Sequence, residues 1–378
     1  MKHLDLQEIR DQLDQIDTKL AELFEARMKL CGDVAEFKIQ SGKAVYDPER
    51  EKAKLAAVRK LAKSPFTELA LQELFAQLMT VSRRYQYQIM GGHGGQAETE
   101  FQLVECLPTA GARIVYQGVE GAYSHEAARK FFGDQADVCH VPSWEDAMEE
   151  VARGRAAYAV LPIENSSAGA VIDNYDLLLK YDNYIVGETE LVVKHALLGL
   201  KDAKLSQIKT IYSHPQALMQ CSQFLNSHQE WKQISMENTA MAAKRIVEDG
   251  DITQAAVASE IAGRLYGLKV LKPEINHNSS NVTRFIILGA QPVYRMDARK
   301  VSICFELPHV SGALYNILGH FIYNHVNMLM IQSRPILERN WEYRFFVDIE
   351  GTLKDAQVQN ALLGIKNEAV NMRILGSF

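Results

Sequence analysis

The chain has 378 residues, a formal net charge of −6 and 47% hydrophobic residues, which predict two or three domains with substantial cores and argue against a nucleic-acid-binding surface. It contains no run of about 18 apolar residues, and its charged N-terminus lacks the apolar core of a signal peptide, so we expect a cytoplasmic protein without a membrane span. Its five cysteines lie far apart without a CxxC pair, and its histidines form no HExxH motif, so neither disulfides nor a metal are expected.

The first predicted element is a helix over residues 5–41, whose apolar side chains recur every three or four positions. This apolar seam consists of Leu6, Ile9, Leu13, Ile16, Leu20, Leu23, Leu30, Val34 and Phe37, with Arg27 in the slot between Leu23 and Leu30. At about 1.5 Å per residue the helix is roughly 55 Å long, which exceeds what a bundle of about 90 residues covers. Part of the seam is therefore expected to pack on a second copy of the chain.

Arg27 has two interpretations. A polar residue in an apolar seam can set the register of a coiled-coil dimer. Alternatively, Arg27 faces an anion inside a helical bundle, because a buried cation needs a partner. At about 100° per residue, Lys38 lies on the same face, about 20° from Arg27. Arg10 lies about 100° around the axis, a direction that suits the bundle of a partner chain.

The next two predicted helices add polar groups. Asp47 before a proline is typical of a helix start, and Arg50 and Glu51 fall in the first turns, for which an ordinary capped start is the simpler interpretation. Ser82 and Gln86 lie four residues apart on the last helix and therefore on one face. Pooled with the cations of the first helix, these groups suit a small dianion that carries a hydroxyl.

This pattern resembles the all-helical AroQ class of chorismate mutase over residues 5–90. The positions that match the family's site residues are Arg10, Arg27, Lys38, Asp47, Arg50, Glu51, Ser82 and Gln86. The resemblance implies a helix-swapped dimer in which Arg10 serves the partner's site. Because the rearrangement of chorismate to prephenate is pericyclic, it needs no cofactor, and the site must hold the compact conformer and stabilise the breaking ether oxygen. Arg27 would bind a carboxylate, Lys38 and Gln86 would donate to the ether oxygen, and Glu51 would accept from the ring hydroxyl.

The sequence GGHGG at 91–95 predicts a flexible linker, taken to cover residues 91–112, that transmits little strain between the bundle and the rest of the chain. Residues 113–291 then alternate short apolar runs with helical patterns, which favours an α/β fold. The predicted strands are 113–118, 156–163, 208–213, 255–259 and 283–289, and the predicted N-caps between them include Ser143 and Asn238.

Polar motifs follow or begin several of these strands, where α/β domains commonly place their sites, although helix capping is the simpler interpretation of each motif alone. They are QGVEGAYS with Gly118 and Gly121, PIENSSAG with Glu164, Asn165 and Ser166, SHPQ with Gln216, and TRF with Thr283, Arg284 and Phe285. Jointly they resemble prephenate dehydratase, which implies a two-lobed fold like that of periplasmic solute-binding proteins, with the substrate in the cleft. The resemblance assigns the key role to Thr283, which we interpret as a hydrogen-bond donor to the leaving hydroxyl.

The last segment, residues 299–378, has the pattern βαββαβ of a ferredoxin-like α+β sandwich. It resembles an ACT regulatory domain, whose phenylalanine-binding motifs match two short stretches of this chain. These candidate effector residues are Gly312, Ala313, Leu314, Ser333, Arg334 and Pro335. Tyr315 and Gln332 depart from the family pattern. A purely structural dimerisation module is the simpler alternative.

Together the three segments resemble the bifunctional chorismate mutase/prephenate dehydratase family, with the predicted domains 1–90, 113–291 and 299–378. The resemblance implies a multidomain enzyme of phenylalanine biosynthesis that converts chorismate to prephenate and then to phenylpyruvate. It also implies inhibition by phenylalanine, a homodimer or higher homo-oligomer, and no cofactor, metal, nucleic acid or membrane partner. The alternatives are a dehydratase whose helical segment only dimerises and a non-catalytic sensor of an aromatic metabolite.

Overall fold

The structure of the chain is a computed structural model that describes residues 5–92, 99–336 and 339–378. The chain divides into two compact units. The first unit combines Met1–Thr99 with Ile303–Ile374, and the second combines Glu100–Ser302 with Leu375–Phe378. Among the described helices, none combines the length and the apolar character that crossing a membrane requires.

The N-terminal segment consists of three helices, α1 (Leu6–Ser41), α2 (Pro48–Arg59) and α3 (Pro65–Gly92). The prediction of a first helix over residues 5–41 is confirmed, with the side chain of Asp5 accepting from the backbone at its start. Asp47 caps α2 as predicted, because its side chain accepts from the Arg50 backbone N–H at 3.0 Å. Helices α1 and α2 therefore begin at residues whose side chains cap them.

Helix α1 packs against α3 along only half of its length. From Phe24 onward, partly buried residues recur on the face that meets α3, with Ala35 fully buried. Before Phe24 every described residue of α1 is exposed. The nine apolar residues of the seam are 38–68% exposed, so the seam has no partner within the described part of this chain. Arg27 lies at the edge between the seam and the face that packs on α3.

The middle segment alternates strands and helices as predicted. Its strands are β1 (Gln102–Val104), β2 (Arg113–Gln117), β3 (Asp137–Val141), β4 (Tyr158–Asn165), β5 (Gly169–Ala170), β6 (Tyr184–Val192), β7 (Ala196–Gly199), β8 (Thr210–Ser213), β9 (Lys232–Ser235), β10 (Gln254–Ala258), β11 (Lys269–Lys272), β12 (Val282–Gly289) and β13 (Val293–Arg295). Its helices are α4 (Tyr123–Phe132), α5 (Trp144–Ala152), α6 (Ile172–Lys180), α7 (Pro215–Gln220), α8 (Ser222–Leu225), α9 (Thr239–Asp249) and α10 (Glu260–Leu265), with a 3₁₀ turn at Leu205–Gln207. The five predicted strands and the caps Ser143 and Asn238 are confirmed.

These elements form two lobes, each built on a mixed sheet. One sheet has the strand order β3-β2-β4-β12-β6, and the other has the order β9-β8-β10-β7-β11. The chain leaves the first lobe after β6, builds the second lobe from β7 to β11, and returns through β12. The two-lobed architecture is thus present, while its likeness to periplasmic solute-binding proteins stays a prediction.

The C-terminal segment has the predicted order βαββαβ. Its elements are β14 (Lys300–Glu306), α11 (Ala313–Tyr323), β15 (Met328–Pro335), β16 (Tyr343–Glu350), α12 (Ala356–Glu368) and β17 (Asn371–Ser377). The strands lie in the order β15-β16-β14-β17, which makes β15 the edge strand. Helices α11 and α12 pack on each other closely enough that a Cβ atom at Gly364 would overlap the ring of His320.

The predicted linker is partly structured. Helix α3 continues through Gly92, so the first two glycines of GGHGG are helical. At the other end Gln102–Val104 form β1, which pairs in parallel with Val293–Arg295. Residues 93–98, which include the rest of GGHGG, lie outside the described residues. The domain boundaries themselves stay a prediction.

The expectation that the helical bundle is isolated from the C-terminal segment is wrong, because α3 packs against both α11 and α12. The Tyr87 ring lies edge-on to the His320 ring at 5.8 Å between centroids, and the Arg84 guanidinium lies 4.1 Å from the centre of the Tyr323 ring. A Cβ atom at Gly319 would overlap that guanidinium, so any larger residue there would displace the end of the Arg84 side chain. A packed helix interface connects these two segments in addition to any linker.

Candidate active sites

Arg27 of α1 reaches α3 and contacts Ser82, one of the predicted mutase residues. Its guanidinium donates to the Leu78 carbonyl at 3.1 Å and to the Ser82 hydroxyl. Gln86 donates to the Ser82 carbonyl at 3.2 Å. Ser82 and Gln86 are buried, and Gln86 Oε1 has no hydrogen-bond partner in the described part of the chain. Leaving a buried amide oxygen unpaired costs free energy. A binding site commonly contains such an oxygen, because a ligand can donate a hydrogen bond to it.

Lys38 lies near the start of α2. Its amine donates to the Val45 carbonyl at 2.8 Å. Burial lowers the pKa of Lys38 below its ordinary value, although the nearby carboxylates of Asp47 and Glu51 oppose that shift. Lys38 therefore stands close to Glu51, as its predicted role requires. Asp47 is occupied in capping α2.

Glu51 is held by a residue that the sequence analysis did not single out. Arg83 of α3 donates through Nη1 to Glu51 Oε1, through Nε to Glu368 Oε1 at 2.9 Å, and through Nη2 to Thr80 at 3.2 Å. Burial alone would lower the pKa of Arg83, but the carboxylates of Glu368 and Glu51 outweigh it and raise that pKa. Removing one member of a buried ion pair typically costs about 3–5 kcal/mol. We therefore expect Glu51 to stay bonded to Arg83, which fixes the position of its carboxylate.

Two of the predicted mutase residues lie away from these contacts. Arg10 lies on the exposed first half of α1, and Arg50 is exposed on α2, with its backbone N–H bonded to the Asp47 cap. Arg27 is bonded to the buried turn that carries Ser82 and Gln86, and Glu51 is bonded to Arg83. That Arg27, Lys38, Glu51, Ser82 and Gln86 line one pocket stays a prediction.

The second candidate site is a cavity of about 520 Å³ in the two-lobed unit. Of the predicted dehydratase residues, Asn165, Gln216, Thr283 and Phe285 line it. A β-bulge contributes to this arrangement, because Thr283 pairs with Asn165 while Phe285 pairs with Pro162, which leaves Ile163 as an extra residue on β4. The bulge lets Pro162 and Asn165 both face the cavity although they are three positions apart and would lie on opposite faces of a regular strand.

The Thr283 hydroxyl is oriented by Asn165. The Asn165 Oδ1 atom accepts from the backbone N–H groups of Ser167 at 3.0 Å and Ala168 at 2.9 Å, which fixes the orientation of the amide. The Asn165 Nδ2 group consequently donates to Thr283 Oγ1 at 2.8 Å and to Asn281 Oδ1 at 2.8 Å. Since Thr283 Oγ1 accepts from Asn165, its own proton can be donated into the cavity.

Three predicted substrate-binding residues lie outside the cavity lining. Arg284 points to the other face of β12, where it pairs with Glu164 at 3.4 Å and Glu188 at 3.5 Å. Ser166 joins two chain segments, since its hydroxyl donates to the Ser280 carbonyl at 3.2 Å and accepts from the Val282 N–H at 2.9 Å. The structure thus gives Glu164, Ser166 and Arg284 protein partners, and their role toward substrate stays a prediction.

The described lining of the cavity contains no lysine or arginine. Instead the N-cap residues of α4, α6 and α9, namely Ala122, Val171 and Asn238, all line it. Helix N-termini present unpaired backbone N–H groups and a partial positive charge. The glycines Gly118 and Gly121 have positive φ and form the turn before α4, so they shape one of these N-termini.

The sequence analysis missed a buried histidine in this cavity. His195 is 2% exposed, with one ring nitrogen 2.9 Å from the Tyr123 hydroxyl and the other 2.9 Å from Gln220 Oε1. Burial lowers the pKa of His195, and the hydrogen bond that His195 makes to Gln220 Oε1 opposes the shift. A lone histidine after β6 carries no motif, so only the packing of α4 and α7 around it shows its place in the site.

The candidate effector residues occupy two places in the C-terminal segment. Gly312 is the N-cap of α11 in the left-handed conformation, with φ of 81°, and Ala313 and Leu314 form the half-buried first turn. Ser333, Arg334 and Pro335 lie at the end of the edge strand β15. Both places are therefore at the surface of the single chain.

Comparison with known families gives a match for each segment that holds a candidate site. The sequence model of the family described as prephenate dehydratase matches residues 114–293, and that of the family described as chorismate mutase type II matches residues 9–87. The chain is 33% identical over 380 residues to the "Bifunctional chorismate mutase/prephenate dehydratase" of Pseudomonas aeruginosa, covering 99% of this chain and 97% of that protein.

Two solved structures are similar over 70% of this chain. One is a prephenate dehydratase from Arthrobacter aurescens in complex with L-Phe, with 30% identity, a TM-score of 0.64 and 89% of that chain covered. The other is described as GqqA, a quorum-quenching acylase, with 29% identity, a TM-score of 0.62 and 97% of that chain covered. Because these two titles describe different activities, likeness of fold alone does not fix the reaction.

The stability of the two-lobed unit should fall in mild acid because of His195. Its pKa is lower in the folded than in the unfolded state, so the unfolded state binds the proton more readily. The contribution of neutral His195 to the free energy of unfolding is complete above the ordinary histidine pKa of about 6.5 and is lost as the pH falls below it. The measurement is the urea midpoint at pH 7.5 and 5.5. His195→Gln should flatten this dependence, whereas His140→Gln, an exposed control on β3, should not; equal pH dependence in both variants would contradict the assignment.

Proposed function

The chain belongs to the bifunctional chorismate mutase/prephenate dehydratase family, and we propose that the Arg27 pocket performs its first reaction and the Thr283 cavity its second. The observation that carries this proposal is that both family models match the segments that hold these two sites. A helical segment that only dimerises is disfavoured, because Arg27 is bonded to the buried turn that carries Ser82 and Gln86.

In the mutase pocket, catalysis follows from positioning and charge. Arg27 binds a carboxylate of chorismate with its forked guanidinium. Lys38 and Gln86 donate to the ether oxygen as its bond to the ring breaks, and Glu51 accepts from the ring hydroxyl. No proton is transferred, so these groups act by holding the compact conformer and by stabilising developing charge.

The pocket is completed by a second copy of the chain. The exposed seam of α1 is an apolar surface of nine residues, which is too large to leave in water. Pairing two such helices in a swapped dimer would bury both seams and bring Arg10 of one chain to the pocket of the other. The exposure of Arg10 and its distance from the pocket within one chain are consistent with service in trans.

In the second cavity, prephenate loses its ring carboxylate as CO₂ and its ring hydroxyl as water, with the uptake of one proton. Thr283 donates a hydrogen bond to the leaving oxygen, because Asn165 occupies its lone pair and leaves its proton available. The N-termini of α4, α6 and α9 bind the dianion. Gln216 and Phe285 complete the lining.

Phenylalanine is the proposed effector, bound by the C-terminal segment as an ACT domain. The motif residues Gly312–Leu314 and Ser333–Pro335 support this assignment, together with the L-Phe complex of the similar dehydratase. An effector acts only through different affinities for two conformations. Closure of the two lobes is one such change, and the packing of α3 on α11 and α12 provides a route to the mutase as well.

Arg27→Ala should lower mutase turnover of chorismate by about 100-fold or more, since one charge-stabilising donor is lost, and leave dehydration of supplied prephenate intact.

Arg10→Ala should also abolish mutase activity if Arg10 serves the partner. Mixing the two variants after unfolding and refolding together should restore about a quarter of the wild-type rate, because half of the dimers are mixed and each holds one intact pocket. The readout is the initial rate of chorismate consumption for each variant and for the mixture. No recovery in the mixture would contradict the helix-swapped pocket.

Thr283→Val should lower dehydratase turnover by about 100-fold, because it removes the donated proton and retains the shape of the side chain. Asn165 keeps its bond to Asn281 in this variant. Supplied with chorismate, wild type should release phenylpyruvate, whereas the variant should accumulate prephenate; product identification by chromatography distinguishes them. Thr283→Ser is the matched control and should retain most activity. Normal phenylpyruvate formation by the valine variant would remove Thr283 from the mechanism.

Leu314→Glu should weaken inhibition by phenylalanine, because a carboxylate at this half-buried position repels the effector's carboxylate. The measured quantity is the ratio of dehydratase rates with and without phenylalanine. Ile322→Glu, on an exposed position of the same helix, should respond like wild type. An unresponsive wild type, or coinciding curves for the two variants, would contradict the effector assignment.

A further inference from the structure

We propose that Arg83 and Glu368 are positioning residues for the mutase reaction, through which the C-terminal segment orients Glu51. This inference rests on the proposed role of Glu51 as acceptor of the substrate hydroxyl. Glu368 is the last residue of α12, and Arg83 and Glu368 are 285 positions apart in the chain. The mutase pocket thus depends on a side chain that lies far outside the matched mutase segment, residues 9–87.

The guanidinium of Arg83 is immobilised on all three of its nitrogens. It donates to Glu51 through Nη1, to Glu368 through Nε and to Thr80 through Nη2. Its side chain is only 6% exposed, so water cannot replace a lost partner. Because the fork is rigid and planar, a shift of Glu368 turns the whole group and moves the nitrogen that holds Glu51.

The ion pair uses one oxygen of Glu51, Oε1, and leaves Oε2 to accept from a substrate hydroxyl. Arg83 therefore determines where the second oxygen points. A carboxylate on a flexible side chain loses orientation when it has no such anchor, and small errors in position lower the rate of a reaction that depends on geometry alone.

Glu368 is itself anchored on the C-terminal side. Its Oε1 atom lies 3.3 Å from His320 Nε2 of α11 and its side chain is 7% exposed. Although burial acts to raise the pKa of Glu368, the neighbouring His320 and the charge and hydrogen bond of Arg83 lower it, which favours the ionised form. A small cavity of about 70 Å³ beside Arg83 and Glu368 is lined by Ala313 at the start of α11. A rearrangement of the first turn of α11 would therefore reach Glu51 through two side chains.

The test uses the full-length chain and initial rates of chorismate conversion. Glu368→Gln keeps the size of the side chain and removes its charge, and it should lower mutase kcat/KM by about tenfold, a typical coupling through a contact network. Arg84→Lys is the matched control, because Arg84 is the next residue of α3 and contacts α11 but does not contact Glu51. This control should remain within about twofold of wild type.

A double-mutant cycle separates positioning from a general loss of structure. In a Glu51→Gln background, Glu368→Gln should cause no further loss, because its effect passes through the group already removed. Additive losses would overturn the inference. Dehydration of supplied prephenate reports whether the variant is folded. If Glu368→Gln fails that check, Thr80→Val is used in the same cycle; it removes only the third anchor of Arg83 and should give a smaller loss that also vanishes with Glu51→Gln.

The outcomes distinguish this inference from the function on which it rests. A wild-type chain that does not convert chorismate, or a Glu51→Gln variant with unchanged kinetics, would overturn the proposed mutase site and the positioning role together. An impaired Glu51→Gln variant beside a Glu368→Gln variant with wild-type kcat/KM would overturn the positioning role alone.

Discussion

The burial of Arg83 is the constraint on which the first unit depends. A guanidinium removed from water is tolerated only where acceptors surround it, and α3 offers it one hydroxyl, from Thr80. The two carboxylates come from Glu51 of α2 and Glu368 of α12. Because the Arg83 guanidinium binds both carboxylates, the same pair of salt bridges holds α3 against α12 and orients Glu51. The segments 1–99 and 303–374 accordingly form one compact unit although about 200 residues separate them.

The helical segment also has an exposed apolar surface. The apolar residues in the described first half of α1 are exposed, and Arg10 lies on that half. A helix of this length gains stability chiefly by burying its apolar face. In the proposed swapped dimer a second copy would both cover this half and complete the pocket, which would link the stability and the activity of the mutase to chain concentration.

Local chemistry made much of the fold predictable, whereas long-range pairing did not. Caps such as Asp47 and Ser143 and the strand–helix alternation depend on neighbours in sequence, and the structure confirms them. The motifs predicted Asn165 and Thr283, which the cavity unites. The bulge at Ile163 reverses the alternation of β4, so no periodicity could tell that Pro162 and Asn165 share a face while Glu164 pairs with Arg284. The pairing of Arg83 with Glu368 could not be predicted either, because the two residues are 285 positions apart and no local pattern connects them.

The two candidate sites differ in whether they contain lysine and arginine side chains, and the two reactions account for the difference. Chorismate keeps both carboxylates through the rearrangement, so a fixed cation such as Arg27, in its proposed role, can hold a carboxylate of the compact conformer without opposing any loss of charge. Prephenate must lose its ring carboxylate as neutral CO₂. A cation beside that group would stabilise the charge that has to disappear and would raise the barrier. The second cavity has helix N-termini, amides, Thr283 and the buried His195 in its described lining, and neither lysine nor arginine. In its proposed role it would therefore place no fixed cationic side chain of this kind beside the carboxylate that is lost.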